Sequence, residues 1–338
     1  ELLRDDHDQL GFRVWVGGGL GRTPLIGQVV RDFLPWRDLL TYAEALLRVY
    51  NLNGRRDNLY KSRIKILVKA LGADEFRSRV EREWETTRRT VPPLTEAQIE
   101  RARSYFTAPA YAAMDVAACS AQLAAWRAGS RGFDRWMERN VTAHRVPGYA
   151  IVTLSLKRTG IAPGDVTDRQ LETVAGLADE YSGGEVRVTH EQNLVLADVP
   201  QSRLFALWEE ARAAGLATPN IGMLTDIICC PGGDLCSLAN AKSIPVAEAI
   251  QRRFDDLDYL HDLGEIDLNI SGCMNACGHH HVGQIGILGV DKKGEEFYQI
   301  SLGGNQGSDA ALGTILGPSF AQDEIPAIVG RILGFYVG

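Results

Sequence analysis

Gly11-Phe12-Arg13-Val14-Trp15-Val16-Gly17-Gly18-Gly19 and Glu296-Phe297-Tyr298-Gln299-Ile300-Ser301-Leu302-Gly303-Gly304 share one pattern, a strand running into a glycine loop. Each loop leads through a Pro-containing stretch into a helical pattern. The first helix ends Leu46-Leu47-Arg48-Val49-Tyr50 and the second Ile332-Leu333-Gly334-Phe335-Tyr336. The offset is 285 residues at the strands and 286 at the helix ends. Similarity at a fixed spacing signals a repeated structural unit; the alternative is a common strand–turn–helix unit met twice. The second copy has a long lead-in, from about Val146 to Glu296, whereas only eleven residues precede Phe12. The repeat therefore predicts that roughly 140 residues of lead-in are missing ahead of Glu1. The first copy also continues past Tyr50 into a basic helix while the second stops at Gly338, so the C-terminus is expected to be truncated as well.

Between the copies, residues 55–89 read as a charged amphipathic helix broken at Gly72, and Val91-Pro92-Pro93-Leu94 as a linker. Thr95 is placed to cap a helix starting at Glu96, with Gln98 at the capping-box position. Residues 110–128 are Ala-rich and read as helix or close-packed coil. From Val146 the apolar period changes to two, and Tyr149–Leu156 reads as a strand. Asp168 is expected to cap a helix over 169–181. Strands follow over Val186–Thr189 and Asn193–Leu196, then a helix from Pro200 to Ala214. The order β-α-β-β-α is most of a ferredoxin-like sandwich. The predicted fold is α+β, a pseudo-twofold repeat of ferredoxin-like half-domains and α/β domains with the first repeat truncated. The expected divisions are 1–90, the remainder of the first α/β domain; 91–145, a helical linker; 146–216, the half-domain; and 217–338, the second α/β domain.

At 338 residues the chain is long enough for two or three domains. Its net charge of −7 argues against a nucleic-acid or anionic-membrane footprint but leaves room for a local basic pocket. No apolar run reaches the ~20 residues of a membrane span, and the charged start (Glu1, Arg4, Asp5, Asp6) carries no signal-peptide pattern. A cytoplasmic setting is expected, where cysteines stay reduced unless they bind metal or do chemistry. Five of the six cysteines (Cys229, Cys230, Cys236, Cys273, Cys277) crowd the last third, which favours a metal site over a disulfide scaffold.

Five residues separate Cys230 from Cys236 and three separate Cys273 from Cys277, with 36 between the pairs. Four thiolates suit an iron–sulfur cluster or zinc. Structural zinc draws on shorter knuckles, typically of two to four residues. The Cys-Pro-Gly-Gly loop is wide enough for a larger cubane, and Gly232, Gly233, Gly272 and Gly278 allow close backbone approach. A zinc-stabilised binding module without catalysis remains the alternative of another class.

These spacings, with Cys-Pro-Gly-Gly before the second ligand and Gly-Cys-x-Asn-x-Cys-Gly around the last two, resemble the sulfite/nitrite reductase hemoprotein family. So do the flanks Thr189-His190-Glu191-Gln192-Asn193-Leu194 and Ile285-Gly286-Ile287-Leu288-Gly289. The likeness covers essentially the whole chain, and the family is built as a pseudo-twofold repeat. It implies that Cys230, Cys236, Cys273 and Cys277 each hold one iron of a [4Fe–4S] cluster, and that Cys277 also bridges to a siroheme iron as its axial ligand. The implied activity is the six-electron reduction of sulfite to sulfide, or in parallel of nitrite to ammonia. The chain has no flavin or nicotinamide domain, so the implied donor is ferredoxin or a separate NADPH-dependent flavoprotein. Two of the family's anion-binding arginines fall in the absent lead-in. Arg63 and Lys65, in Lys61-Ser62-Arg63-Ile64-Lys65, match a further basic pair, and an Arg at the first position departs from a plain lysine pair. The bland reading of these two is a solvated helix face.

The likeness also makes His190, Gln192, Asn193, His279 and His280 candidates for contacts to the tetrapyrrole, against a buried polar network for the first three. A separate metal site at His279-His280-His281 is the lesser reading. Cys119 and Cys229 read as buried small residues. The run Gly17–Arg22 lacks the G-x-x-x-x-G-K-[ST] pattern of a nucleotide loop.

Overall fold

The computed structural model describes residues 1–107 and 109–338. The chain divides into two compact units, one running to residue 108 and the other starting at Pro109.

In the first unit, β1 (Leu2–Arg4), β2 (Leu10–Val16) and β3 (Gln28–Pro35) form an antiparallel sheet in that order. Helices α1 (Leu39–Asn53), α2 (Ile64–Leu71), α3 (Ala73–Thr90) and α4 (Glu96–Arg103) follow. The alternating residues of β2 and β3 turn Val16, Val30 and Leu34 inward. The inner faces of α1 to α3 close on them with Tyr42, Val49, Val68, Phe76, Val80 and Trp84. The expected helix from Arg55 begins only at Ile64. Ahead of it, the Asn58 side chain accepts from the Tyr60 N–H and the Ser62 hydroxyl donates to the Leu59 carbonyl, so local side-chain bonds replace helix bonds. Thr95 and Gln98 make both bonds of the capping box at the start of α4.

The second unit opens with α5 (Val116–Gly129) and α6 (Arg131–Asn140). Then come β4 (Val141–Ala143), β5 (Tyr149–Leu154), α7 (Asp168–Tyr181), β6 (Arg187–Val188), β7 (Leu194–Pro200) and α8 (Leu204–Ala213). The antiparallel sheet runs β4-β5-β7-β6, and β5-α7-β6-β7-α8 is the expected β-α-β-β-α order. Two details differ. The cap of α7 is Thr167, in a capping box with Gln170, because Asp168 is already the first helical residue. The stretch read as linker supplies β4 to this sheet, and α6 buries Phe133 and Trp136 in its core.

The rest of the unit is β8 (Ile228–Cys229), α9 (Gly232–Leu235), α10 (Ile244–Arg253), α11 (Leu257–Leu263), β9 (Leu268–Ser271), β10 (Ile285–Lys292), β11 (Glu295–Leu302), β12 (Thr314–Ile315) and α12 (Ile325–Val337). Its sheet runs β12-β11-β10-β9-β8; β8, β9 and β10 are parallel, and the rest is antiparallel. The fold is thus α+β with a repeated unit.

The repeat is visible in the pairing register. Phe12↔Leu34, Trp15↔Val29, Val16↔Gln28 and Gly19↔Leu25 in the first unit correspond to Tyr298↔Phe320, Ser301↔Ile315, Leu302↔Thr314 and Asn305↔Ala311 in the second. Every one of these pairs is displaced by 286 residues. The offset of 285 at the strands is therefore corrected to 286. Matching Phe12 with Phe297 follows residue identity, whereas backbone pairing sets Phe12 against Tyr298, and a one-residue slip in a strand exchanges its faces. Among the described residues no helix is long and apolar enough to cross a membrane.

Candidate metal centre

Strands β8 and β9 are parallel neighbours, with Ile228 opposite Asn269 and Cys229 opposite Ile270. Loops leaving the carboxyl ends of adjacent parallel strands emerge on the same side, where open α/β sheets place their ligands. The first loop carries Cys230 and, after the single turn α9, Cys236; the second carries Cys273 and Cys277. Backbone bonds tie the loops together. Cys230 N–H donates to the Ile270 carbonyl at 3.1 Å, and Asn240 and Ala241 N–H both donate to the Gly272 carbonyl at 2.8 and 3.0 Å. The Gly272 N–H donates to Cys230 Sγ at 3.0 Å, and Ser243 Oγ lies 3.6 Å from the same sulfur.

All four candidate thiols meet here. The Cys277 thiol is pushed above its ordinary pKa first by burial and then by Cys230, Cys273 and Cys236 beside it. Among the described residues no group of three or more His, Cys, Asp or Glu side chains is placed as a site for a metal ion.

The second loop is closely fitted. A Cβ on Gly278 would stand 1.9 Å from the Ile270 carbonyl oxygen, and one on Gly272 would stand 2.6 Å from Gly232 Cα. Ala276 (φ 58°) and His279 (φ 56°) bracket Cys277 in the left-handed region, at about 1–2 kcal/mol each for a side-chain-bearing residue. Bonds from Ala276 N–H to the Cys273 carbonyl, His279 N–H to the Ala276 carbonyl and Gly278 N–H to Ser271 Oγ hold the shape. Cys277 is the exposed member of the set, while Cys273 is buried. Cys229, one residue before the first ligand, is buried in the core; burial pushes its thiol far up and its S–H donates to the Cys230 carbonyl.

Gln192 and Asn193 support the first loop. Gln192 Nε2 donates to the Cys229 carbonyl and its Oε1 accepts the Cys229 N–H, both at 2.8 Å, with Gln192 at φ 60°. The buried Asn193 accepts from Leu156 N–H and donates to Asp226 Oδ1. These bonds make a buried polar network in which both amides face the protein. His190 is exposed and lies 3.2 Å from the Glu191 carboxylate. His279 is exposed, and His280 is buried against His281 with ring centroids 3.9 Å apart.

Neither ring nitrogen of His280 meets a hydrogen-bond partner, and its pKa is pushed down to about 3, first by burial and then by His281. The unfolded chain takes up this proton near 6.5, the folded one only near 3. The resulting stability is therefore complete above pH 6.5 and is lost as the pH falls toward 3, at about 1.4 kcal/mol per pH unit. Urea midpoints are expected to report a loss of roughly 2 kcal/mol between pH 7 and 5 from this group. His280→Leu should remove that part of the slope; an unchanged slope would assign the acid sensitivity elsewhere.

Lys157 was missed from the sequence. Its fully buried ammonium donates to the Glu191 and Ile227 carbonyls at 2.8 Å and pairs with Asp226 Oδ1 at 3.2 Å. Burial lowers its pKa, and Asp226 opposes that shift. The signal was a lysine directly after the alternating apolar strand Tyr149–Leu156, where a surface reading is the habit. In the first unit, Lys65 is also buried and spends its ammonium on the Leu20 and Thr23 carbonyls at 2.6 and 2.8 Å and, more loosely, on Gly19 at 3.4 Å. The exposed Arg63 reaches the same glycine loop beside Gly19. Burial first and Arg63 second lower the Lys65 pKa.

Four thiols carried by two strand-end loops, in the same unit as a ferredoxin-like half-domain, form a candidate soft-metal site. The chain belongs to the nitrite and sulphite reductase family: the family's 4Fe-4S domain matches residues 2–88 and 223–338, and its ferredoxin-like half domain matches 153–214. A ferredoxin–nitrite reductase of Synechococcus elongatus is 28% identical over 96% of this chain and 56% of its own length. A sulfite reductase [ferredoxin] of Mycolicibacterium paratuberculosis is 27% identical over 97% and 53%. The solved structure of Mycobacterium tuberculosis NirA superposes with a TM-score of 0.72 at 25% identity, covering 98% of this chain and 55% of that one. The chain thus spans about half the length of the curated relatives it matches.

Proposed function

We propose that this chain is the metal-bearing part of a siroheme- and [4Fe–4S]-dependent oxyanion reductase, and that the whole protein reduces sulfite to sulfide. The observation that carries this reading is the meeting of Cys230, Cys236, Cys273 and Cys277 at the ends of β8 and β9. The four thiolates would hold the cluster, and Cys277, the exposed one, would also help to hold the siroheme through its iron. When bound, the pair of cofactors supplies single electrons and an iron that takes the sulfur or nitrogen of the substrate. The protein fixes the sulfurs. The Gly272 N–H on Cys230 withdraws charge from that sulfur, a contact of the kind that tunes potential. Arg63, at the glycine loop of the first unit, is the candidate to neutralise the anion. Lys65 is better placed to shape that loop, since its N–H groups are directed at carbonyls.

Reduction of nitrite to ammonia is the second reading, favoured by the relatives named ferredoxin–nitrite reductases. Those names, and the sulfite reductases named for ferredoxin, support ferredoxin over an NADPH-dependent flavoprotein as donor. The test is iron and acid-labile sulfide analysis of the full-length protein, followed by anaerobic steady-state kinetics on both anions. Iron with sulfide, and a higher kcat/KM for sulfite, are expected. Zinc without sulfide would sink the reading, and a higher kcat/KM for nitrite would move it to the second substrate.

A further inference from the structure

β8 ends its sheet, so its outer edge faces no strand. Such an edge presents unpaired N–H and C=O groups. The Gln192 side chain closes it as a strand would: Oε1 accepts the Cys229 N–H and Nε2 donates to the Cys229 carbonyl, both at 2.8 Å. On the inner edge, the Cys230 N–H donates to the Ile270 carbonyl at 3.1 Å. The peptide joining Cys229 to Cys230 is therefore held at its oxygen from one side and at its nitrogen from the other, and its plane is fixed. Only the side-chain torsion is left to direct Cys230 Sγ, which the Gly272 N–H meets at 3.0 Å. Gln192 does this from the left-handed region, φ 60°, where glycine is unstrained and a long side chain is uncommon. The turn that carries it closes through other groups. Thr189 N–H donates to the Asn193 carbonyl, Gln192 N–H donates to the Thr189 carbonyl, and Thr189 Oγ1 accepts the Asn193 N–H. A glycine would serve that turn with less strain, and the amide of residue 192 is directed at Cys229.

We propose that Gln192 is a positioning residue for the metal centre: it sets the plane of the Cys229–Cys230 peptide so that Cys230 Sγ meets the Gly272 N–H, and through that bond it raises the reduction potential of the cluster. The inference rests on the cluster reading given above. An N–H donated to a ligand sulfur stabilises the more negative, reduced form, and hydrogen bonds of this kind help to set cluster potentials. Without the Gln192 amide the carbonyl end of the peptide is released, Cys230 Sγ turns away from the Gly272 N–H, and the potential falls. Gln192 touches neither the sulfur nor the iron and acts only through the backbone. The turn between β6 and β7 of the half-domain thereby takes part in tuning a centre built on β8 and β9.

The test uses Gln192→Gly and Gln192→Met in the full-length holoprotein. Neither change adds charge; the first eases the turn, and the second keeps the side-chain bulk without the amide. Potentiometric titration read by the paramagnetic signal of the reduced cluster gives the midpoint potential, and iron, acid-labile sulfide and the urea midpoint are measured on the same samples. Both variants are expected to titrate at a more negative potential than the wild type while keeping its iron and sulfide per chain. A potential that does not move in either variant overturns the proposal, whatever happens to the urea midpoint. Iron that falls in step with stability, with the remaining cluster at the wild-type potential, would make Gln192 a packing residue and also defeat it. Wild-type protein without acid-labile sulfide would remove the cluster reading itself, and this inference with it.

Discussion

Cys277→Ser in the full-length protein should lower reduction of either anion by more than about a hundredfold, since even residues that merely orient a metal ligand cost 10–100-fold when changed. It should also alter the visible spectrum of the tetrapyrrole together with the paramagnetic signal of the cluster. The argument is positional. Cys273 is buried, Cys230 and Cys236 are half-buried, and Cys277 is exposed, so Cys277 is the most accessible of the four to a second centre. A shared thiolate leaves two spectroscopic traces when it is lost. Retention of an unperturbed tetrapyrrole spectrum would exclude Cys277 as a residue that holds the tetrapyrrole while leaving its place in the cluster open.

Lys157→Met should cost about 3–5 kcal/mol, the usual penalty for removing one partner of a buried ion pair. The Asp226 carboxylate would keep only the Asn193 amide and the Gly222 N–H, and the Glu191 and Ile227 carbonyls would lose a donor inside the protein. Against a typical stability of about 5–15 kcal/mol, that is a large share. Urea unfolding of the full-length protein measures it, and a loss below about 1 kcal/mol would show that the pair contributes little. Ile227 immediately precedes β8, so the variant should also lower the iron content at a fixed protein concentration. A destabilised protein with full iron would separate the packing of Lys157 from the support of the metal loop.

The four candidate thiols could be picked out because ligand chemistry constrains both residue type and spacing, and no packing argument was needed to group them. The α+β repeat was legible because alternation and glycine loops are local signals. Lys157 was not, because its partners Glu191, Asp226 and Ile227 lie far along the chain and only the fold brings them near. Gln192 and Asn193 could be read as a buried polar network or as cofactor contacts, but not assigned their partners. Their amides turn toward Cys229, Leu156 and Asp226, a matter of backbone geometry at a left-handed residue that sequence spacing does not encode. The start of α2 was misjudged because charge pattern extends through 55–63 while Asn58 and Ser62 redirect the backbone.

The two left-handed residues around Cys277 restrict what the loop can exchange, since a β-branched side chain at Ala276 or His279 would be strained there. The bond from Gly278 N–H to Ser271 Oγ and those within the loop tie the turn to the end of β9.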